Sequence, residues 1–191
     1  MKATTMLKRS VTLMTKIGFD LDGVLYDWHK VVYDWMVESH SNFDVSYKDF
    51  WTDWINQDEH KSVANFLIKT PIFVTKLMMS DTIRNTLWTL AKTNELFYIT
   101  ARPRAVHFGT SWWIKTSRIP NPENLLFAKD KLPNIINHGI DYFVEDMTKH
   151  ALALQNHTKV ILVAKPWNKI IQDEFPVIQS VTQLPELMET L

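Results

Sequence analysis

The chain has 191 residues, 46% of them hydrophobic, with Lys plus Arg and Asp plus Glu both at 21. That length supports one domain with a packed core and a modest insert, and the zero net charge gives no bulk affinity for a polyanion such as nucleic acid. With no cysteine, disulfides, thiolate metal sites and cysteine nucleophiles are excluded. No stretch reaches the roughly 18 apolar residues of a membrane helix. Met1 to Thr15 carries Lys2, Lys8 and Arg9 but lacks the apolar core of a secretory signal. Residues 1–15 are therefore expected as a tail, and the protein as soluble and cytoplasmic.

Six short apolar runs read as buried strands: Lys16 to Leu21, Glu95 to Thr100, Asn124 to Ala128, Tyr142 to Val144, Lys159 to Ala164 and Phe175 to Ile178. Runs apolar on both faces, alternating with helix-like stretches, predict a parallel sheet covered by helices. The first gap departs from this rhythm, with more than 70 residues between the first two strands. A crossover helix needs far fewer. Asp27 to Ser39 carries Val31, Val32, Trp35 and Met36 on one stripe and reads as a helix. Tyr47 to Ile55 and Glu59 to Ile68 read as two more, and Thr82 to Lys92 as the helix returning to the sheet. The expectation is a doubly wound α/β domain over 16–27 and 80–191, with a small helical cap at 28–79 inserted after the first strand. Such a cap would lie where open parallel sheets bind ligands, outside the carboxyl ends of the strands.

Polar residues collect at that edge. Asp20 and Asp22 end strand one, Thr100 ends strand two, Lys129 and Lys131 follow strand three, and Glu145 with Asp146 ends strand four. Singly, each reads as an ordinary turn residue; together they form a constellation. The residue types suit phosphoryl transfer. A phosphate monoester repels a carboxylate nucleophile, and a Mg²⁺ ion on oxygen ligands removes that repulsion. Asp20 can then attack phosphorus, and Asp22 can protonate the leaving oxygen and later activate water. Thr100 and Lys131 can hold the phosphoryl oxygens, while Asp146 completes the metal site.

Phe19-Asp20-Leu21-Asp22-Gly23-Val24-Leu25-Tyr26-Asp27 resembles the first motif of the haloacid dehalogenase-like phosphatases, and Ile99-Thr100-Ala101-Arg102-Pro103 their second. Lys131 is similar to the third-motif lysine, and Val144-Glu145-Asp146 to the acidic fourth motif. Within that superfamily the chain resembles the 5'(3')-deoxyribonucleotidases and their bacterial and phage relatives. The likeness includes Ala164-Lys165-Pro166-Trp167-Asn168 after strand five. The resemblance implies a HAD-like Rossmannoid core and a Mg²⁺ cofactor. It makes Asp20 the nucleophile and Asp22 the acid/base. The metal would be held by the Asp20 side chain, the Asp22 main-chain carbonyl and Asp146. Thr100, Ala101 and Lys131 would bind phosphate. Glu145 stands where many members have Asp and is expected to support the site indirectly; Lys129 is the second-choice lysine. The implied substrate is a nucleoside monophosphate.

The rival readings are a phosphatase of another small ester such as a sugar phosphate, a polynucleotide 3'-phosphatase, and a non-catalytic phosphate-binding protein on the same fold. A calcium loop starting at Asp20 is disfavoured by Val24, Leu25 and Val31 at ligand and turn positions. Asp27 is expected to cap the helix after it. Arg102 either binds substrate or braces its loop. The histidines lack metal-ligand spacing. Trp51 and Trp54, three apart, are the candidates for stacking on a nucleobase, with core packing the default for the insert's tryptophans. Adjacent Trp112 and Trp113 cannot point the same way from a helix, so one belongs to the core. Monomer and homodimer both stay open.

Overall fold

The computed structural model describes residues 14–52 and 79–191. Element labels below count these residues only. Six parallel strands form one sheet: β1 (Thr15–Phe19), β2 (Asn94–Thr100), β3 (Leu125–Phe127), β4 (Tyr142–Glu145), β5 (Lys159–Val163) and β6 (Val177–Ile178), in the order β3-β2-β1-β4-β5-β6. Each lies within or beside a run read as a strand from sequence. The order turns back at β1, so the crevice between the ends of β1 and β4 is the topological switch point where such sheets bind ligands.

Alternation along the strands divides the core in two. Leu96 and Tyr98 of β2, Ile17 and Phe19 of β1 and Val144 of β4 pack on one face. That face is covered by α1 (Trp28–Ser39), α3 (Asp81–Leu90), α4 (His107–Thr116) and α7 (Leu184–Met188). Phe97, Ile99, Phe143 and Leu162 pack on the other, under α5 (Leu132–His138), α6 (Thr148–Leu154) and the 3₁₀ segment Pro166–Glu174. Gly18 shows how tightly that face is filled: a Cβ there would stand 2.5 Å from Phe143 Cδ2. Removing the Phe143 ring would cost roughly 3–5 kcal/mol.

Asp27 caps α1, its Oδ1 accepting from the Lys30 amide at 2.9 Å, as expected. The same oxygen accepts from the Tyr47 hydroxyl at 3.1 Å, which ties α2 (Tyr47–Thr52) to the start of α1. Trp28 and Phe50 are buried, and Trp35 packs against the same cluster. Trp113 is buried and Trp112 half exposed, the split expected of the pair. The expected helix at 59–68 lies outside the described residues, as do Trp54 and nearly all of the expected tail.

Candidate active site

Asp20 follows β1 directly, and its amide donates to the Val144 carbonyl at 2.9 Å, so the ends of β1 and β4 are laced together. Asp20, Glu145 and Asp146 each offer a carboxylate oxygen, and these oxygens lie within 4.8 Å of one another. All three residues are buried. Lys131, at the start of α5, reaches in from the far side of the sheet end. Its Nζ lies 2.9 Å from Asp20 Oδ1 and 2.7 Å from Glu145 Oε2.

Glu145 is the most heavily satisfied of the three. Its Oε1 accepts from the amides of Asp146 and Met147 at 3.1 and 3.0 Å, and His150 Nδ1 lies 3.3 Å from Oε2. Burial works against its charge, but Lys131 and His150 outweigh burial and hold it down at about 2. Asp20 behaves oppositely. Burial pushes its carboxyl up to about 7; Lys131 opposes this, while Glu145 and Asp22 add to it. Asp146 is pushed well above the ordinary carboxylate range, by burial first and then by Glu145 and Asp20. Both of its oxygens are buried without a hydrogen-bond partner among the described residues. Burial works against the Lys131 charge, but Asp20 and Glu145 outweigh it and hold the ammonium above its ordinary range.

This charge balance tests the fit of a metal. With all three carboxylates ionised against one ammonium, about two negative charges would be left over in a buried, all-oxygen pocket. A hard divalent cation with oxygen ligands matches both the surplus and the orphaned Asp146 oxygens. Gly23 helps to shape the pocket: its φ is +82°, and a Cβ there would meet Asp146 Oδ2.

The remaining sequence candidates fall around this centre. Thr100 is fully buried, and its Oγ1 accepts from the Arg102 amide at 3.3 Å. Lys129 is exposed, whereas Lys131 reaches the carboxylates. Ala101, Arg104, His107, Lys129, Lys131 and Lys149 are among the residues around a cavity of about 930 Å³. Asp20, Asp22 and Asp146 do not line it, so it adjoins the site from the Lys131 side. Asp22 is not one of the three clustered carboxylates and pairs with Arg102. Trp51 lies in α2.

In the sequence Asn168 stands out only as part of a family likeness. It is fully buried and its Nδ2 donates to the carbonyls of Asp146 and Val163, both at 2.8 Å. Its Oδ1 accepts from the Lys165 amide at 3.0 Å. The available signal is a Pro-led turn after β5 with Asn at its third position, a capping-box arrangement. Tyr26, whose hydroxyl donates to Asp22 Oδ1, was likewise only part of a motif.

Comparison with known proteins bears on the family and the fold. The family model described as "5' nucleotidase, deoxy (Pyrimidine), cytosolic type C protein" matches residues 14–185. Among solved structures, a haloacid dehalogenase-like hydrolase of Streptococcus pneumoniae superposes with a TM-score of 0.65 at 10% identity, covering 92% of this chain and 98% of its own. A HAD family hydrolase of Deinococcus radiodurans R1, with bound phosphate and sodium, gives 0.65 at 15% identity, covering 92% and 95%. The β-phosphoglucomutase of Clostridium difficile gives 0.56 at 13%, covering 93% and 96%. At such identities these structures speak for the fold alone. No curated protein matches the chain in sequence. Among the described residues, no helix is long and apolar enough to cross a membrane. The family match spans nearly the whole chain, and the carboxylates and lysine of the sheet edge lie within it: the chain, with the fold of the haloacid dehalogenase-like hydrolases, belongs to the cytosolic type C deoxy-pyrimidine 5'-nucleotidase family and is a phosphoric monoester hydrolase of the nucleotidase type.

Proposed function

We propose that the chain hydrolyses a 5'- or 3'-(deoxy)nucleoside monophosphate with Mg²⁺, through a phosphoryl group carried transiently on Asp20. The observation carrying this reading is the pairing of Asp20 with Lys131 at 2.9 Å beside the orphaned carboxylate of Asp146. In this reading Asp20, Asp146 and the main-chain carbonyl of Asp22 would hold the cation, which would lower the repulsion between Asp20 and the phosphate dianion. Asp20 attacks phosphorus and the bond to the leaving oxygen breaks. Asp22 gives a proton to that oxygen, then takes one from the water that cleaves the acyl phosphate. Lys131 and the Thr100 hydroxyl, with the Ala101 amide, bind the phosphoryl oxygens as charge accumulates. Glu145 anchors Lys131 and the β4 turn. A cytoplasmic setting follows the family's cytosolic type.

Residues 28–79 act in this reading as the cap that selects the leaving group. Stacking on an aromatic ring is worth roughly 1–3 kcal/mol per base, or about 5- to 150-fold. Deoxynucleoside monophosphates should exceed ribose 5-phosphate in kcat/KM by that margin. The experiment is a phosphate-release comparison of nucleotides and bare sugar phosphates, with and without Mg²⁺, in wild type, Trp51→Ala and Trp54→Ala. Equal turnover of the bare sugar phosphate would remove base selection; activity after full chelation would remove the metal.

A further inference from the structure

Arg102 follows the phosphate-binding Thr100-Ala101 pair in sequence, which makes it an obvious phosphate ligand. Its surroundings say otherwise. Nε donates to Asp22 Oδ2 and Nη2 to Asp22 Oδ1, both at 3.0 Å. This is the two-pronged guanidinium–carboxylate fit that a single ammonium cannot reproduce. Nη1 donates to Thr110 Oγ1 of α4 at 2.9 Å. The guanidinium carbon also lies 5.3 Å from the Tyr26 ring and 5.8 Å from the Trp113 ring. Those two rings meet edge to face with centroids 4.9 Å apart. Tyr26 in turn donates its hydroxyl to Asp22 Oδ1. The Arg102 side chain is only 6% exposed, against 25% for Asp22. Three of its five N–H groups, Nε–H and one each on Nη1 and Nη2, are committed to Asp22 and to α4.

An aspartate at a turn has several side-chain rotamers of similar energy. A group that moves a proton must be held within hydrogen-bond reach of the reacting oxygen. We propose that Arg102 is a positioning residue: it fixes the rotamer of Asp22 for proton transfer and does not bind the phosphoryl group. This rests on the reading of Asp22 as the acid/base of a phosphatase. Thr110, Tyr26 and Trp113 are the backing that keeps the guanidinium in place. The clamp ties the first-motif loop to α4, across 80 residues of sequence.

A double-mutant cycle on an aryl phosphate, where an Asp22→Asn enzyme keeps measurable turnover, tests this. Arg102→Met should lower kcat by up to about 10-fold, and by less than Asp22→Asn does on the same ester, with KM changed less than about twofold. Arg102→Lys, able to reach one oxygen only, should fall between Met and wild type. In the Asp22→Asn background, Arg102→Met should cost less than about twofold, because residues acting through one another are not additive. If Arg102→Met folds poorly, Thr110→Val gives a milder version of the same cycle. Equal losses in both backgrounds, or a raised KM with kcat intact, would overturn the clamp while leaving the phosphatase standing. A wild type that releases no phosphate from any monoester would instead overturn the phosphatase reading, and the clamp with it.

Discussion

Gly23 and Asp146 come so close that a methyl group on the glycine would stand 2.2 Å from the Asp146 carboxylate oxygen. The contact joins the first-motif loop to the end of β4, and the positive φ of Gly23 adds a conformational reason for the same residue. Gly23→Ala should therefore push the Asp146 carboxylate aside. We expect the Mg²⁺ concentration for half-maximal activity to rise at least about tenfold, in the range known for disturbed metal surroundings, with a folding cost of about 1–3 kcal/mol. A magnesium titration of activity checks this; an unchanged midpoint would mean that Asp146 does not hold the cation.

Lys131 compensates two buried carboxylates at once. Lys131→Met strands both, a change that typically costs roughly 3–5 kcal/mol. For a chain of this size each kcal/mol is about 2–4 °C in Tm, so the metal-free variant should melt about 6–20 °C lower. Saturating Mg²⁺ should recover part of the loss without restoring turnover. A Tm within about 2 °C of wild type would show that Lys131 is not the compensating charge.

His29, in α1, sits with its ring centroid 4.2 Å from that of Trp167. Burial holds it down at about 4, against an ordinary 6.5; Asp22 and Asp27 pull the other way. Between those values the unfolded chain binds the proton and the folded chain does not. The stabilising effect is therefore complete above about pH 6.5 and is lost as pH falls toward 4. The shift corresponds to roughly 3 kcal/mol at most. His29→Gln, which cannot titrate, should flatten this part of the acid limb in urea unfolding measured from pH 7 to 4. An identical acid limb in the variant would show that His29 is not its source.

Much of this was legible in the sequence because the sheet is covered on both faces. Its strands are short continuous apolar runs, and the residue after each run marks the binding edge. Asp20, Lys131, Glu145 and Asp146 could be placed that way. Asn168 and the clamp on Asp22 could not. Arg102 finds Asp22 only because β2 lies beside β1, and Asn168 finds the Asp146 carbonyl only because the turn after β5 folds back under β4. Such contacts depend on angles between elements, which a pattern of residue types does not carry. Asn168→Leu gives the size of one such contact. It removes hydrogen bonds to two buried carbonyls, each worth about 1–3 kcal/mol when left unmade. We expect a Tm lower by several degrees and weaker Mg²⁺ dependence together, read by melting with and without the ion. A lower Tm with unaltered Mg²⁺ response would confine Asn168 to folding.

Asp22 and Asp20 should separate by leaving group. Asp22→Asn keeps the main-chain carbonyl and loses proton transfer, costing about 10²- to 10⁴-fold on an alkyl phosphate. The loss should be smaller on p-nitrophenyl phosphate, whose leaving oxygen needs little protonation. Equal losses on both esters would exclude Asp22 as the acid.

If Asp20 carries the phosphoryl group, the acyl phosphate can be trapped on it. The Asp22→Asn enzyme, slowed in hydrolysing the acyl phosphate, is mixed with a deoxynucleoside monophosphate and Mg²⁺, quenched in acid and reduced with borohydride. Peptide mass spectrometry then reads the product. The Asp20 side chain should be converted to the homoserine alcohol, dependent on substrate and on Mg²⁺ and absent in Asp20→Asn. Turnover with Asp20 unmodified, or with the adduct on another residue, would contradict it.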